Sequence, residues 1–243
     1  MAKVYFRGFV LPRFISDLKV GPLVWREPTL GDLQLRFAVQ GHIIAAECDI
    51  DGDVEDTNRI TLLHIWVFHL IRGYLDAISF TSGLGLTLIL NQFFGPDRME
   101  KQLVSRFDDL AALCTFKPEE LFALTERERG ILKHIHDLVD SLINPMESLF
   151  LCGRAVEGFR RLMLPDPSIR KQWEFMRDNL NFSQDYLTFI TNKSTGSRHG
   201  DLQPAMIGEL YEVRKRAWIV ANRFLEFRKR NNVGLSRTEF PVL

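Results

Sequence analysis

The chain has 243 residues with 31 Lys plus Arg against 31 Asp plus Glu, and it is 46% apolar and 26% charged. That composition excludes a disordered or fibrous chain and supplies enough apolar material for a core. A net charge of zero excludes a protein that coats nucleic acid over its whole surface, while leaving room for one basic patch. Cys48, Cys114 and Cys152 lie far apart and form no CxxC pair, so they read as reduced thiols and not as a disulfide framework or a zinc ribbon.

Taken in chain order, residues 3–10 form a first strand. Arg7 and Arg13 flank too short an apolar stretch for a secretory h-region, and no small-residue cleavage site follows. Residues 23–26 give a short second strand. Leu33, Leu35, Phe37 and Val39 alternate with Gln34, Arg36, Ala38 and Gln40, the period of a half-buried strand, and Gln40-Gly41 turns the chain into a partner strand over 42–50. Residues 56–80 predict a helix that is apolar around most of its circumference, although His64, His69, Arg72 and Asp76 exclude a membrane span. After the Ser82-Gly83 break, Leu84, Leu86, Leu88 and Leu90 alternate again, and Gly95-Pro96-Asp97 closes the β-rich part.

The period then changes to that of helices, expected over 117–124, 126–142, 145–163, 167–180, 183–193 and 206–231. Asn144-Pro145 and Asp166-Pro167 each place a capping side chain before a proline suited to the first helical position. Leu149, Cys152, Val156, Phe159 and Met163 recur at helical spacing as one buried face. Short connections between amphipathic helices imply an antiparallel bundle. The expected fold is therefore α+β, with a β-rich domain over 1–110 and an α-helical bundle over 111–243, in a cytoplasmic protein without membrane contact.

Most catalytic signatures are missing. Glu47, Asp49, Asp51, Asp53, Glu55 and Asp56 alternate acidic groups, but a calcium loop would need Gly where Val54 stands and Glu where Ile60 stands, so an Asp51-Gly52 turn before a helix explains them. His69, Arg72 and Asp76 share a helical stripe that either lines a pocket or meets solvent. His134 and His136, two apart on a helix, diverge and cannot share a metal, and no HExxH pattern occurs. Neither a GxGxxG or GxxxxGK[ST] phosphate loop nor a GxSxG elbow is present, and Cys152 lies on an apolar helix face, unlike a nucleophile. No metal and no cofactor is expected.

The end of the chain is basic. From Thr191 onward there are ten Lys plus Arg against five acids, and the polar run Thr191 to Gly200, which ends the helix over 183–193 and passes into a small polar loop, contains Lys193, Arg198 and His199. An imidazole beside cations suits phosphodiester chemistry, because it moves protons near neutral pH while the cations stabilise charge on phosphate. Arg214, Arg216 and Arg223 on the following helix are the candidate nucleic-acid-binding residues. Trp218, Phe224 and Phe227 have the spacing of a buried face.

A helical bundle with Arg154-Ala155-Val156-Glu157 on one helix and a polar, histidine-containing turn two helices later resembles the bacterial HEPN-like (higher eukaryotes and prokaryotes nucleotide-binding) domains, over roughly 125–230. The resemblance implies a homodimer and, in many members, a metal-independent ribonuclease of defence or stress systems. His199 would then be the general acid or base, with Lys193 and Arg198 as the phosphate-binding charge. Lys193 stands where the family has Arg, and lysine lacks the planar fork suited to phosphate. The sequence therefore favours a non-catalytic binding or regulatory module for RNA, a nucleotide or a protein partner, with the ribonuclease as the alternative.

Overall fold

The computed structural model describes residues 2–12, 17–52, 56–102, 108–144, 146–166, 168–198 and 207–243. The fold is α+β, and the chain divides into two units, Met1–Arg106 and Phe107–Leu243.

In the first unit, β1 (Ala2–Leu11), β2 (Leu18–Glu27), β3 (Gly31–Gln40) and β4 (Ile43–Ile50) precede helix α1 (Thr57–Ser82), and β5 (Thr87–Phe94) and β6 (Glu100–Gln102) follow it. All pairings are antiparallel, in the order β2-β3-β4-β1-β5-β6. Phe6 lies opposite Ala46 and Phe93, and Leu35 opposite Cys48. Because side chains alternate across a strand, Val4, Phe6, Leu33, Leu35, Ile44, Cys48 and Phe93 are all buried on one face.

Helix α1 covers that face. Trp66 packs on Trp25 with ring centroids 5.2 Å apart, Tyr74 meets Phe37 edge-on at 5.7 Å, and His64 stacks on Phe6 at 6.1 Å. The His64 Nε2 lies 3.0 Å from the Leu90 carbonyl oxygen, and burial pushes its pKa below that of a free imidazole. Burial likewise pushes the Cys48 thiol up to about 12, which makes it an inert core group.

Strand β2 begins five residues before the expected 23–26 segment. Its pairing with β3 survives a register shift between Val20 and Leu23, an irregularity that breaks the period by which strands are recognised. Strand β5 starts at Thr87 and not at Leu84, and the Leu86 N–H donates to Ser79 Oγ at the end of α1. Strand β6 and helix α2 (Asp108–Leu113) were not expected, being too short to display a period.

The second unit continues with α3 (Pro118–Arg127), α4 (Arg129–Ile143), α5 (Ser148–Met163), α6 (Ile169–Leu180), α7 (Gln184–Arg198) and α8 (Ile207–Lys229). Helix α5 is its axis and packs on α4, α6, α7 and α8. The pairs Asp137–Arg154 and His134–Gly158 run in opposite senses along α4 and α5, so these helices are antiparallel. Ser148–Arg214 and Phe159–Phe224 keep a nearly constant offset, so α5 and α8 are parallel. Cys152, Ala155, Val156, Phe159, Val213, Ala217, Val220 and Phe224 fill the centre.

Several helix ends differ from expectation: α3 runs on to Arg127 and α4 starts only at Arg129, where the expected helices end at 124 and begin at 126. Helix α5 starts at Ser148 and not at position 145, and Asn144 is the C-cap of α4. Helix α6 is capped by Ser168, whose Oγ accepts from the Lys171 N–H at 3.4 Å, while Asp166 accepts from the Ser168 N–H at 2.7 Å just before it. Helix α7 does not end near Lys193. Leu187, Ile190 and Ser194 continue its buried face, and the Ser194 and Thr195 hydroxyls donate back to the Thr191 carbonyl, which keeps the polar run helical.

Two consequences are measurable. Phe159→Ala should lower unfolding stability by about 3–5 kcal/mol in a denaturant titration, whereas Arg161→Ala, exposed on the same helix, should change it by under about 0.5 kcal/mol. For His64, the unfolded chain binds a proton more readily than the folded one. The stability given by the neutral ring is complete above the ordinary imidazole value of 6.5 and declines as pH falls towards the lower folded pKa. The melting temperature of His64→Phe should fall less than that of the natural protein between about pH 7.5 and pH 5.

Candidate functional site

The alternation that buries one side of the sheet turns the intervening residues to the other. Tyr5 faces Glu47 and Phe94 in neighbouring strands, Arg7 faces Ala45 and Gln92, Arg36 faces Glu47, and Ala38 faces Ala45 and Lys19. With Ala38 of β3 opposite Ala45 of β4, the larger side chains around them enclose a trough of ≈ 730 Å³, the size of a small-ligand site. Tyr5, Phe94, Arg7 and Arg98 line it from the β1–β5 side, and Lys19, Gly21 and Arg36 from the β2–β3 side. Gly21 has φ +123°, and a Cβ there would lie 2.8 Å from the Leu35 carbonyl oxygen, so only glycine lets β2 lie this close to β3.

The charges of the trough fall into two groups. Arg36 donates to Asp49 Oδ2 at 3.0 Å and to Gln34 Oε1 at 2.7 Å, and Glu47 accepts from Lys3 Nζ at 2.7 Å. These are fixed by their neighbours. Arg7 lies over the Phe94 ring at 5.2 Å and Arg98 over the Tyr5 ring at 5.6 Å. Among the described residues neither of these arginines, nor Lys19, has a carboxylate within ion-pair distance. Three cations without a counter-charge, two of them held on aromatic faces, surround one open trough. Such a set attracts anions electrostatically and can take a flat ring against Tyr5 or Phe94. Sequence reasoning missed it. The available signal was the outward phase of the strands, which places Tyr5 and Arg7 beside Arg36, but the pairing of β1 with both β4 and β5 is needed to bring them together.

The residues singled out from the sequence fare differently. His199 lies outside the described residues, and of Arg198 only the backbone, at the end of α7, is described. Lys193 Nζ donates to Glu209 Oε1 at 2.5 Å, an ion pair between α7 and α8. Arg214 is 6% exposed, donates to Ser148 Oγ at 2.8 Å and to the Ser141 carbonyl at 2.5 Å, and its pKa is lowered to about 10 by desolvation. Arg223 is equally buried and donates to the carbonyls of Leu180 and Asn181 at 2.8 Å and of Pro241 at 2.9 Å. The expected basic surface on α8 is thus corrected at two of its three members, because their hydrogen bonds are spent on carbonyl and hydroxyl groups inside the unit. Arg216 is half-buried, 2.7 Å from Glu212 and over the rings of Phe189 and Tyr186 at 4.1 and 4.9 Å. Phe224 and Phe227 are core, and Trp218 packs partly buried against it.

Other candidates resolve into structure. Arg72 Nε and Asp76 Oδ1 pair at 2.7 Å, both well exposed, and His69 lies edge-on to Trp66, so the stripe on α1 is a solvent edge and not part of the trough. His134 is packed against α5: a Cβ on Gly158 would overlap its ring. Its Nδ1 is 3.7 Å from Asp137, which Arg154 grips with two bonds of 3.0 and 2.5 Å, so the arginine of Arg154-Ala155-Val156-Glu157 ties α5 to α4. Gly52, with φ +87°, makes the turn at Asp51 whose carbonyl accepts from Arg59. Among the described residues no group of three His, Cys, Asp or Glu is placed to hold a metal ion, and no helix is long and apolar enough to cross a membrane.

Residues 119–229 match the model of the DUF8168 C-terminal domain, a domain of unknown function. No curated protein and no solved structure matches the chain. The matched span covers helices of the second unit, and the trough lies outside it.

Arg223 offers a check on its assigned place. Arg223→Met leaves three carbonyls without their charged donor and should cost about 2–4 kcal/mol of stability. Amide exchange should accelerate at Leu235 and Leu243, whose N–H groups bond to Asn179 and Asn181 beside it.

Proposed function

We propose that the protein is a non-catalytic binding module and that the outer sheet face of its first unit holds an anionic ligand carrying a planar ring, a nucleotide either free or within single-stranded RNA. The observation that carries this reading is the trio Arg7, Lys19 and Arg98, without carboxylate partners among the described residues, around Tyr5 and Phe94 above a floor of Ala38 and Ala45. Phosphate supplies the missing counter-charge, with Arg7 and Arg98 able to grip it through two donors each. Stacking of a base on an aromatic side chain contributes about 1–3 kcal/mol and tolerates any base. Glu47, held by Lys3 and the only carboxylate among the described residues that line the trough, is an acceptor for a ring N–H. The trough is open along the sheet, which suits a strand of RNA as well as a single nucleotide.

The helical unit, read as a HEPN-like bundle, has a supporting place in this proposal. The ribonuclease alternative rests on His199 and draws no support from Lys193, whose ammonium is engaged by Glu209.

The test is fluorescence anisotropy of labelled single-stranded RNA with unlabelled mononucleotides as competitors. Arg7→Glu and Lys19→Glu should each weaken binding at least about tenfold and flatten its salt dependence, and Tyr5→Ala should weaken it with the salt dependence intact. Arg216→Glu should leave affinity unchanged within about twofold. Competition by mononucleotide identifies the free nucleotide as sufficient, and its absence identifies RNA. Failure of both to bind, or RNA binding untouched by the trough variants, overturns the proposal.

A further inference from the structure

Helix α4 is apolar on two opposite sides. Ile131 and Leu138, with Asp137 and Ser141, are buried on the side packed against α5. On the other side Leu132, Val139 and Ile143 are 41, 47 and 67% exposed, with the exposed His136 in line between them. Steps of four, three and four residues set these side chains in a single stripe along the helix. Single exposed apolar residues are ordinary, but an aligned row with this spacing is what one helix presents to another lying along it.

The charges beside the stripe indicate what covers it. Lys133 and Asp140 are seven residues apart and flank it on the same side. Among the described residues neither has an opposite charge within ion-pair distance. When two identical helices pack antiparallel, the same flank of each meets across the seam. A two-fold axis between positions 136 and 139 then brings Lys133 of one copy beside Asp140 of the other, twice, and Leu132 beside Ile143. A parallel pair would turn that flank towards the other one, where the uncharged and half-buried Ile135 and Leu142 stand, and leave all four charges unpaired. The pattern is self-complementary in the antiparallel sense alone, as an isologous contact requires.

We infer that α4 is the seam of a homodimer, in which a second copy of this chain lies antiparallel along Leu132, His136, Val139 and Ile143 with two Lys133–Asp140 pairs at its edges. A helix of 15 residues is about 22 Å long, and a seam of that length belongs to the small end of protein interfaces, so association is reversible with Kd on the order of micromolar. The inference rests on α4 and is independent of the trough.

Light scattering on the full chain tests it. At about 100 µM the mass should approach twice the 28.2 kDa of one chain and fall towards one chain on dilution through the micromolar range. Val139→Glu should give monomer at every concentration with an unchanged circular dichroism spectrum, and Ile143→Glu, in the last turn, serves if the first variant unfolds. Lys133→Glu and Asp140→Lys should each weaken dimerisation at least about tenfold, and the two together should restore it. A monomer at 100 µM overturns the inference, because the stripe then serves a different partner. A dimer that survives both glutamate variants, or charge reversals that do not rescue each other, also overturns it.

Discussion

The alternation of side chains along the strands, with α1 laid across one face of the sheet, is the constraint from which the first unit follows. Once Phe6, Leu35, Phe37, Cys48 and Phe93 are committed to the buried side, a shift of one residue in any strand would drive a row of apolar groups into water and charges into the core. The outer face has no freedom left. Arg7 and Tyr5 must stand outward because Phe6 stands inward, and Arg36 and Ala38 because Phe37 does. The basic, aromatic character of the trough is thus the complement of the core, and its depth comes from two alanines in strands whose neighbours carry long side chains.

The helical unit spends its cations differently. Burying a guanidinium costs several kcal/mol unless its donors are satisfied, and Arg214 and Arg223 meet that requirement at helix ends. Arg214 donates near the C-terminus of α4 and the N-terminus of α5, and Arg223 donates to carbonyls at the C-terminus of α6, where the helix dipole favours a positive charge. The Arg223 guanidinium also lies over the rings of Phe182 and Phe240. Asn181, in the left-handed conformation at the end of α6, donates to Leu235 and Phe240 and helps to tie down the same segment. Part of the basic composition of this end of the chain is therefore internal scaffolding. The bundle also leaves the second apolar side of α4 on its surface.

A division of labour between the two units emerges. The sheet presents cations beside aromatic rings, without carboxylate partners among the described residues, and the proposed ligand site rests on them. The bundle presents an apolar stripe flanked by charges of both signs, on which the proposed seam rests. A homodimer through α4 would bring two sheet units into one assembly, and two weak sites joined in this way bind a long anionic chain more tightly than either alone.

The sequence by itself determined the α+β class, the change of period between the two halves, the β3–β4 hairpin and the long apolar helix, because hydrophobic periodicity reflects burial directly and each of these elements is long enough to display it. It also placed Phe159, Cys152 and Val156 on the inner face of α5. Only the tertiary structure decided which cations are available. Ten basic residues near the end of the chain read as a surface when counted, yet a count cannot distinguish a guanidinium in water from one bound to three backbone carbonyls. In the same way Arg7, Lys19 and Arg98 carry no motif and lie far apart in sequence. They come together around one trough because β1 pairs with both β4 and β5 while β2 folds back on β3, and such long-range pairing leaves no local pattern to read.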